Sequence, residues 1–407
     1  MRHLYHMASR VLQHLLDTHY PAFEQTPRFP PHVRAAVHAL RSCRTAALGG
    51  QVQACPEGHI ERVWYNSCRH RFCPQCTQLQ IVQWLAQQQA RLLRGAHYHV
   101  IFTFPSELNA LWLANVRELA TFLFHAAWAT LSELLGDPKY LGATPGMIAA
   151  LHTWGQTLVL HPHLHCLVTG GGWTGDHWKA VRNGYLLPAR VVMPLFRGKL
   201  LAALYTAVDA GRLTLPAGMT LAQLRMLLHR LGRTKWHVQL MPRYAHGQGV
   251  ATYLARYLRG GPLKPSRIVA WDAQTVTFRY ADNQAPDAQG RGTRKIMTLS
   301  TAEFFQRWLL QVPPPGFPVV RAYGLYAPGK RAPLAHCRHA LGQASVAPPP
   351  VLDWQSYCAQ QGPQHPERCP VCGQRLIRTA PVAPVRAPRR PVGLAPPGLV
   401  AVGREAA

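Results

Sequence analysis

The sequence predicts an α+β fold, and three observations predict it. Stretches of strand-forming residues with period-two alternation, at 97–104 and 147–169, are interleaved with long helical patterns, at 106–136 and 185–232. Their connections are short and of antiparallel style, which separates α+β from the strictly alternating parallel architectures. Ahead of both lies a helical N-terminal stretch followed by a dense group of cysteines, which marks a separate module.

Taken in order, residues 1–40 read as helices, with Tyr5, Val11, Leu12, Leu15 and Leu16 at helical spacing and a proline-rich break at 27–31. The cysteine cluster spans 55–76, and a helix over 78–95 leads out of it. HYHVIFTF (97–104) reads as a strand ended by Pro105, after which Ser106 is placed to cap one long helix to about 136. A strand pair at 147–160 and 162–169 turns into Gly170-Gly171-Gly172, and 185–232 returns to helix as an insertion. WHVQLM (236–241) is strand, 249–259 helix and 268–282 a hairpin. A helix over 300–312 has Ser300 as cap and Glu303 completing a capping box. Beyond 330 the chain is proline-rich, and 379–407 has the composition of a disordered basic arm. Three segments follow from this: 1–95, helical with the cysteine cluster; 96–330, mixed strands and helices; and 331–407, the proline-rich C-terminal region.

The chain has 407 residues, enough for two or three domains. Its 44 Lys+Arg against 17 Asp+Glu give a formal net charge of +27, which calls for a polyanionic partner. Nucleic acid is favoured over an anionic membrane surface because the basic residues are spread through folded-looking sequence and are not gathered on one amphipathic helix. The most apolar stretch, near 110–135, is interrupted by Asn115, Arg117, Glu118 and His125, which argues against a membrane span. MRHLYHMASR lacks the apolar core of a signal peptide, so a soluble cytoplasmic protein is expected. Ten cysteines, clustered in a leaderless chain, favour metal over disulfides.

Two motifs carry chemistry. In HPHLHCLV (161–168), His163 and His165 flank Leu164 on a strand, so both imidazoles project from one face as a two-toothed metal clamp. In YLARY (253–257), Tyr253 and Tyr257 are four apart at helical spacing, which puts both phenols on one helix face with Cβ atoms about 5–6 Å apart. Seen singly, each motif is more often packing than chemistry. Together they resemble the His-hydrophobic-His (HUH) endonucleases. The words YNSCRHRFCPQC (65–76), HYHVIFTFPSELN (97–109), LHTWGQTLVLHPHLHCLVTGGG (151–172), YLARYLRGGPLKPSRIV (253–269) and RAYGLYAP (321–328) resemble the two-tyrosine rolling-circle transposases of bacterial insertion sequences.

That resemblance implies a central antiparallel sheet with the histidines on a middle strand and the tyrosines on a helix lying across it. It also implies cleavage of single-stranded DNA by tyrosine attack, leaving a 5′-phosphotyrosine, with Mg2+ or Mn2+ at the histidines. The third ligand commonly comes from the neighbouring strand, where Gln156 ranks slightly above His152. His97-Tyr98-His99 repeats the His-x-His pattern but falls on the first strand and reads as a decoy; His161 is assigned to the surface or to a supporting position. Arg256, Arg259, Lys264 and Arg267 are candidates for the DNA backbone, with a solvated helix end as the bland alternative. No role is assigned to Arg279, Asp282 or Arg321 beyond structure or DNA contact.

Cys73-x2-Cys76 is a knuckle for structural Zn2+. Cys55, Cys73 and Cys76 are the expected ligands, with the fourth contested between His59 and Cys68. Arg69 and Arg71 beside the knuckle are further candidates for phosphate contact. Cys369-x2-Cys372 is a second candidate pair, with Cys337, Cys358 and His365 as possible company. A plasmid replication initiator or relaxase shares the same chemistry, and a non-catalytic zinc-containing DNA-binding regulator is the alternative from another class. An oligomer is compatible with all three.

Overall fold

The computed structural model describes residues 2–24, 29–255, 260–286, 292–360 and 366–385. The elements are, in chain order, α1 (Arg2–Phe23), α2 (Pro31–Ser42), β1 (Gly50–Ala54), β2 (Glu61–Tyr65), α3 (Gln78–Arg91), β3 (His97–Thr103), α4 (Asn109–Ala114), α5 (Val116–Gly136), β4 (Thr144–Trp154), β5 (Leu160–Trp173), β6 (Trp178–Ala180), α6 (Ala189–Asp209), α7 (Leu221–Arg233), β7 (Val238–Leu240), α8 (Gln248–Ala255), β8 (Ile268–Trp271), β9 (Thr275–Pro286), β10 (Gly292–Ser300), α9 (Thr301–Leu309), β11 (Val320–Gly324), α10 (Arg331–Ala340), α11 (Trp354–Ala359) and β12 (Ile377–Val382). This is the expected α+β class, with antiparallel sheets and helices.

Two compact units divide the chain, and they cut across the linear partition at 95 and 330. One comprises 1–41 with 69–360; the other joins Ser42–Cys68 to the described residues after 365. In the larger unit a six-stranded antiparallel sheet runs β11-β4-β5-β3-β7, with β6 pairing β5. The central strands alternate between two buried faces. Met147, Ala149 and Leu151 of β4 and Leu164, Cys166 and Val168 of β5 enter one core, with α4 to α7. Ile148 and Ala150 of β4 and Leu167 of β5 enter another, with Val250 and Ala251 of α8 and Leu334 and Cys337 of α10. A strand covered on both sides must be apolar in both parities, so a polar residue in either row is conspicuous.

Helices α5 and α6 are long and apolar enough to cross a bilayer. Each lays its apolar face into the first core instead, through Leu119, Leu123 and Phe124 of α5 and Phe196, Leu200 and Leu204 of α6. The 185–232 stretch is thus part of the core packing, with the Phe196 ring 4.7 Å from that of Phe102. α7 begins with a capping box in which Thr220 and Gln223 satisfy each other's backbone N–H groups.

Several local expectations are corrected. The single helix from Ser106 is broken at Asn115, whose amide donates to the Leu111 and Thr214 carbonyls and whose oxygen accepts from Thr214 N–H. Ser106 opens only a short 3-10 turn and makes no side-chain cap. Ser300 does cap α9, accepting from Glu303 N–H at 3.2 Å, but the Glu303 carboxylate pairs with Arg307 instead of closing the box. The 268–282 hairpin is two strands of a three-stranded sheet completed by β10. Gly170-Gly171-Gly172 is no turn: β5 continues through it. A Cβ on Gly171 would stand 2.6 Å from the Lys179 carbonyl oxygen of β6, so only glycine allows that pairing. The arm expected to be disordered from 379 begins as strand β12, paired with β1; residues 386–407 lie outside the described residues.

Candidate active site

β5 has β4 on one side and β3 on the other. The β4–β5 register sets His152 directly opposite His163 and Ala150 opposite His165. His152, His163 and His165 therefore share a face with Ala150 and Leu167, and their candidate ligand nitrogens all lie within 4.8 Å of one another. His152 and His165 are buried, and His163 is half-buried.

The nitrogens converge in a definite way. His163 Nδ1 donates to the His161 carbonyl at 2.6 Å, which leaves its Nε2 as a lone pair. That Nε2 is 3.1 Å from Nε2 of His165. His165 Nδ1 is 2.8 Å from His99 Nε2, and in the tautomer where Nδ1 is the donor, the His165 lone pair turns to the same point as that of His163. Two imidazole lone pairs about 3 Å apart match one edge of an octahedral or distorted tetrahedral site with ligand distances of about 2.1 Å. A divalent cation is the group this donor set fits.

Electrostatics favour the same conclusion. Burial, helped by neighbouring imidazoles, pushes His163 down to about 4, and burial does the same to His99. Burial followed by the His163 and His99 rings lowers His152 well below its ordinary value, and burial followed by the His152, His163 and His99 rings lowers His165. All four rings are neutral at neutral pH, the state in which imidazole binds metal.

β4 ends at Trp154 after a register shift beyond His152, and Gln156 sits in the following turn, where its backbone carbonyl accepts from Arg267 at 3.0 Å. Strand parity cannot be carried across a shifted register, so the shared parity of His152 and Gln156 does not hold beyond β4.

The two rings of the HYH word part company. His97 is fully buried between the Gly95 carbonyl and the Tyr326 hydroxyl, at 2.9 Å from each, and is structural. His99 stands behind His165. Reading the word as a simple decoy missed that contact, although a second imidazole at the same parity in an otherwise apolar strand was the available signal.

Helix α8 packs on the histidine face through Val250 and Ala251. Tyr253 falls on its last described turn. Tyr257, Arg256 and Arg259 lie outside the described residues. The loop after the helix is tied to the knuckle: Gly260 N–H donates to the Arg71 carbonyl at 2.9 Å, and Gly261, at φ +73°, lies against the Phe72 ring. α3, which starts at the knuckle, contributes Trp84 and Leu85 to the same core as α8.

The basic candidates divide. Arg71 donates to the Phe317 carbonyl at 2.7 Å, and Arg267 donates to the Arg279 and Gln156 carbonyls, so both guanidiniums are engaged inside the fold. Arg69 and Lys264 are exposed. Arg321 lies over the Phe124 ring at 4.7 Å and donates to Thr121, a packing role. Asp282 pairs with Lys295 at 2.7 Å on the surface.

The cysteines do not form the expected set. Cys55 and His59 lie with Cys369 and Cys372, all four ligand atoms within 4.8 Å. Four donors fill a zinc ion, so Cys55 and His59 have their complement without Cys73 and Cys76. Cys68 has Cys43 beside it, whose sulfur accepts from the Cys68 N–H at 3.5 Å; the sequence reading did not use Cys43. Cys73 and Cys76 remain a close pair at the knuckle. Cys337 and Cys358 are buried outside these groups, and His365 lies outside the described residues.

Comparison with known proteins gives two family matches. The family described as "Transposase zinc-binding domain" matches residues 15–104, and the family described as "Putative transposase" matches residues 146–333. The chain is 37% identical over 356 residues to "Putative transposase y4qJ" of Sinorhizobium fredii, covering 85% of this chain and 88% of that protein. It is 30% identical over 358 residues to "Transposase for insertion sequence element IS801" of Pseudomonas savastanoi pv. phaseolicola, covering 85% and 83%. No solved structure matches. With identity at that level sustained over most of both chains, and with a family match that contains His152, His163, His165 and Tyr253, this chain belongs to the transposase family.

Proposed function

We propose that this transposase nicks and rejoins single-stranded DNA through a 5′-phosphotyrosine, mobilising an insertion sequence by a rolling-circle-type mechanism. The observation that carries the reading is the convergence of three neutral imidazoles on the sheet face against which the tyrosine helix packs. His152, His163 and His165 hold a divalent ion, Mg2+ or Mn2+, with His99 orienting His165. When bound, such an ion draws charge from a non-bridging phosphate oxygen and aligns the phosphate for in-line attack.

The phenol oxygen of Tyr253 or Tyr257 forms the new bond to phosphorus, its proton passing to solvent. The bond from phosphorus to the 3′ oxygen breaks, and that oxygen takes up a proton to become a free 3′-hydroxyl. The phosphodiester's energy is retained in the tyrosyl ester, so rejoining by a 3′-hydroxyl needs no nucleotide cofactor. Two tyrosines allow a second strand to be opened while the first is still attached. Arg69 and Lys264, with Arg256 and Arg259, meet the DNA backbone, and the net charge of +27 supplies long-range attraction in the bacterial cytoplasm. Structural Zn2+ is held in the matched zinc-binding domain, where Cys73 and Cys76 form the knuckle.

The test is incubation of the full chain with single-stranded DNA from the ends of its element and Mn2+ or Mg2+. A denaturant-resistant protein–DNA adduct is expected, absent when Tyr253→Phe and Tyr257→Phe are combined. Tight binding without an adduct would instead identify a non-catalytic DNA-binding regulator.

A further inference from the structure

The group Cys55, His59, Cys369 and Cys372 joins two sequence words separated by more than 300 residues, and only the first word lies within the matched zinc-binding domain. The two words are built alike. In CPEGH, Cys55 N–H donates to the Ile60 carbonyl at 2.8 Å and Gly58 N–H to the Cys55 carbonyl at 2.9 Å. In CPVCG, Cys369 N–H donates to the Gln374 carbonyl at 2.8 Å and Gly373 N–H to the Cys369 carbonyl at 2.9 Å. Both loops use a glycine in the left-handed region, Gly58 at φ +70° and Gly373 at φ +74°. Val371 N–H also donates to Cys369 Sγ at 3.4 Å, the kind of contact that supports a thiolate ligand.

The donor geometry is that of one tetrahedral ion. Cys55 Sγ is 3.5 Å from Cys372 Sγ and 3.4 Å from His59 Nδ1. Those separations are far beyond a disulfide, at about 2.05 Å. They are close to the edges, about 3.8 Å for S–S and about 3.5 Å for S–N, of a tetrahedron with zinc–ligand distances of about 2.3 and 2.0 Å. Among the described residues, the apolar cluster around the four donors is Cys55, Cys369 and Leu376 with Ile60 beside them. So small a core cannot hold a three-stranded β12-β1-β2 sheet on its own, and small modules of this kind are stapled by metal.

We propose that Cys55, His59, Cys369 and Cys372 bind one Zn2+ ion, and that this ion clasps the C-terminal segment onto the β1–β2 hairpin as its third strand. A closed Cys3His set leaves no open position, so the ion is structural. The site is independent of the DNA-cleavage reading and of the thiolates at Cys73 and Cys76.

The test is zinc content and thiol reactivity of the full-length protein, neither of which involves DNA. Cys369→Ser with Cys372→Ser is expected to lower bound zinc by one ion per chain, while His59→Cys keeps the parental content and, after Co2+ replacement, gives the spectrum of a site with one more sulfur. In the unaltered protein, Cys372 is exposed yet is expected to resist alkylation until a zinc chelator is added. Parental zinc content in the double variant, or prompt alkylation of Cys372 without chelator, would overturn the proposal; the alkylation measurement stands even if the double variant fails to fold.

Discussion

The imidazole site and the cysteine ribbon reach their ligand geometries by opposite routes. The three histidines stand on strands whose neighbours on both faces are fully buried apolar residues, so packing alone fixes the positions of the imidazoles. The ribbon has four donors around a handful of apolar atoms. In the first region the fold makes the site; in the second, on the clasp proposed above, the site makes the fold. Stacking neutral imidazoles side by side in an apolar layer removes their protonated forms, and this is why the pKa values there are lowered together.

This contrast can be broken most decisively at the histidines. His163→Ala combined with His165→Ala is expected to lower strand cleavage by about a thousandfold or more, since an ion's charge stabilisation is worth several kcal/mol. Salt-sensitive DNA binding and the thermal transition of the protein should persist; loss of binding by a still-folded variant would remove the case for a metal role. Next in size is the response to a zinc chelator at neutral pH. Hydrogen exchange is expected to show β1, β2 and β12 losing protection while β3, β4 and β5 keep theirs, and equal loss in both regions would erase the distinction.

His99→Ala should cost about 10–100-fold in metal affinity, the usual range for a residue behind a ligand, with His99→Gln recovering part of it through an oxygen acceptor for His165. Isothermal titration with Mn2+ reads this directly, and an unchanged affinity would make His99 mere packing. His152→Ala belongs to the same range or above, whereas Gln156→Ala is expected to leave Mn2+ affinity within about twofold of the parent, because Gln156 lies past the register shift and the end of β4. The smallest effect is a control outside both regions. Ser300→Ala removes the α9 cap and should cost about 1 kcal/mol, read as a small drop in Tm with metal content unchanged.

Much of this was legible in the residues. Alternation along HYHVIFTF and HPHLHCLV gave the strands, and the 163/165 spacing gave two imidazoles on one face, because strand parity is a property of the backbone. Helical spacing gave the helix that carries Tyr253. The third imidazole was harder. His152 and Gln156 share parity, and only the cross-strand register, with its shift after His152, separates them. Asn115 likewise looked like one polar residue in a long helix until the Thr214 backbone supplied it with partners.

The sequence by itself determined the class of fold, the basic charge, the paired histidines and tyrosines, and the presence of more than one cysteine knuckle. Those are properties of local spacing, which the covalent chain imposes wherever the segment ends up. Only the tertiary structure decided which donors meet: His99 behind His165, His152 across from His163, and CPEGH with CPVCG. Such partnerships join residues from eleven to more than three hundred positions apart, and no local periodicity encodes which of several equivalent donors packing brings within a few ångströms.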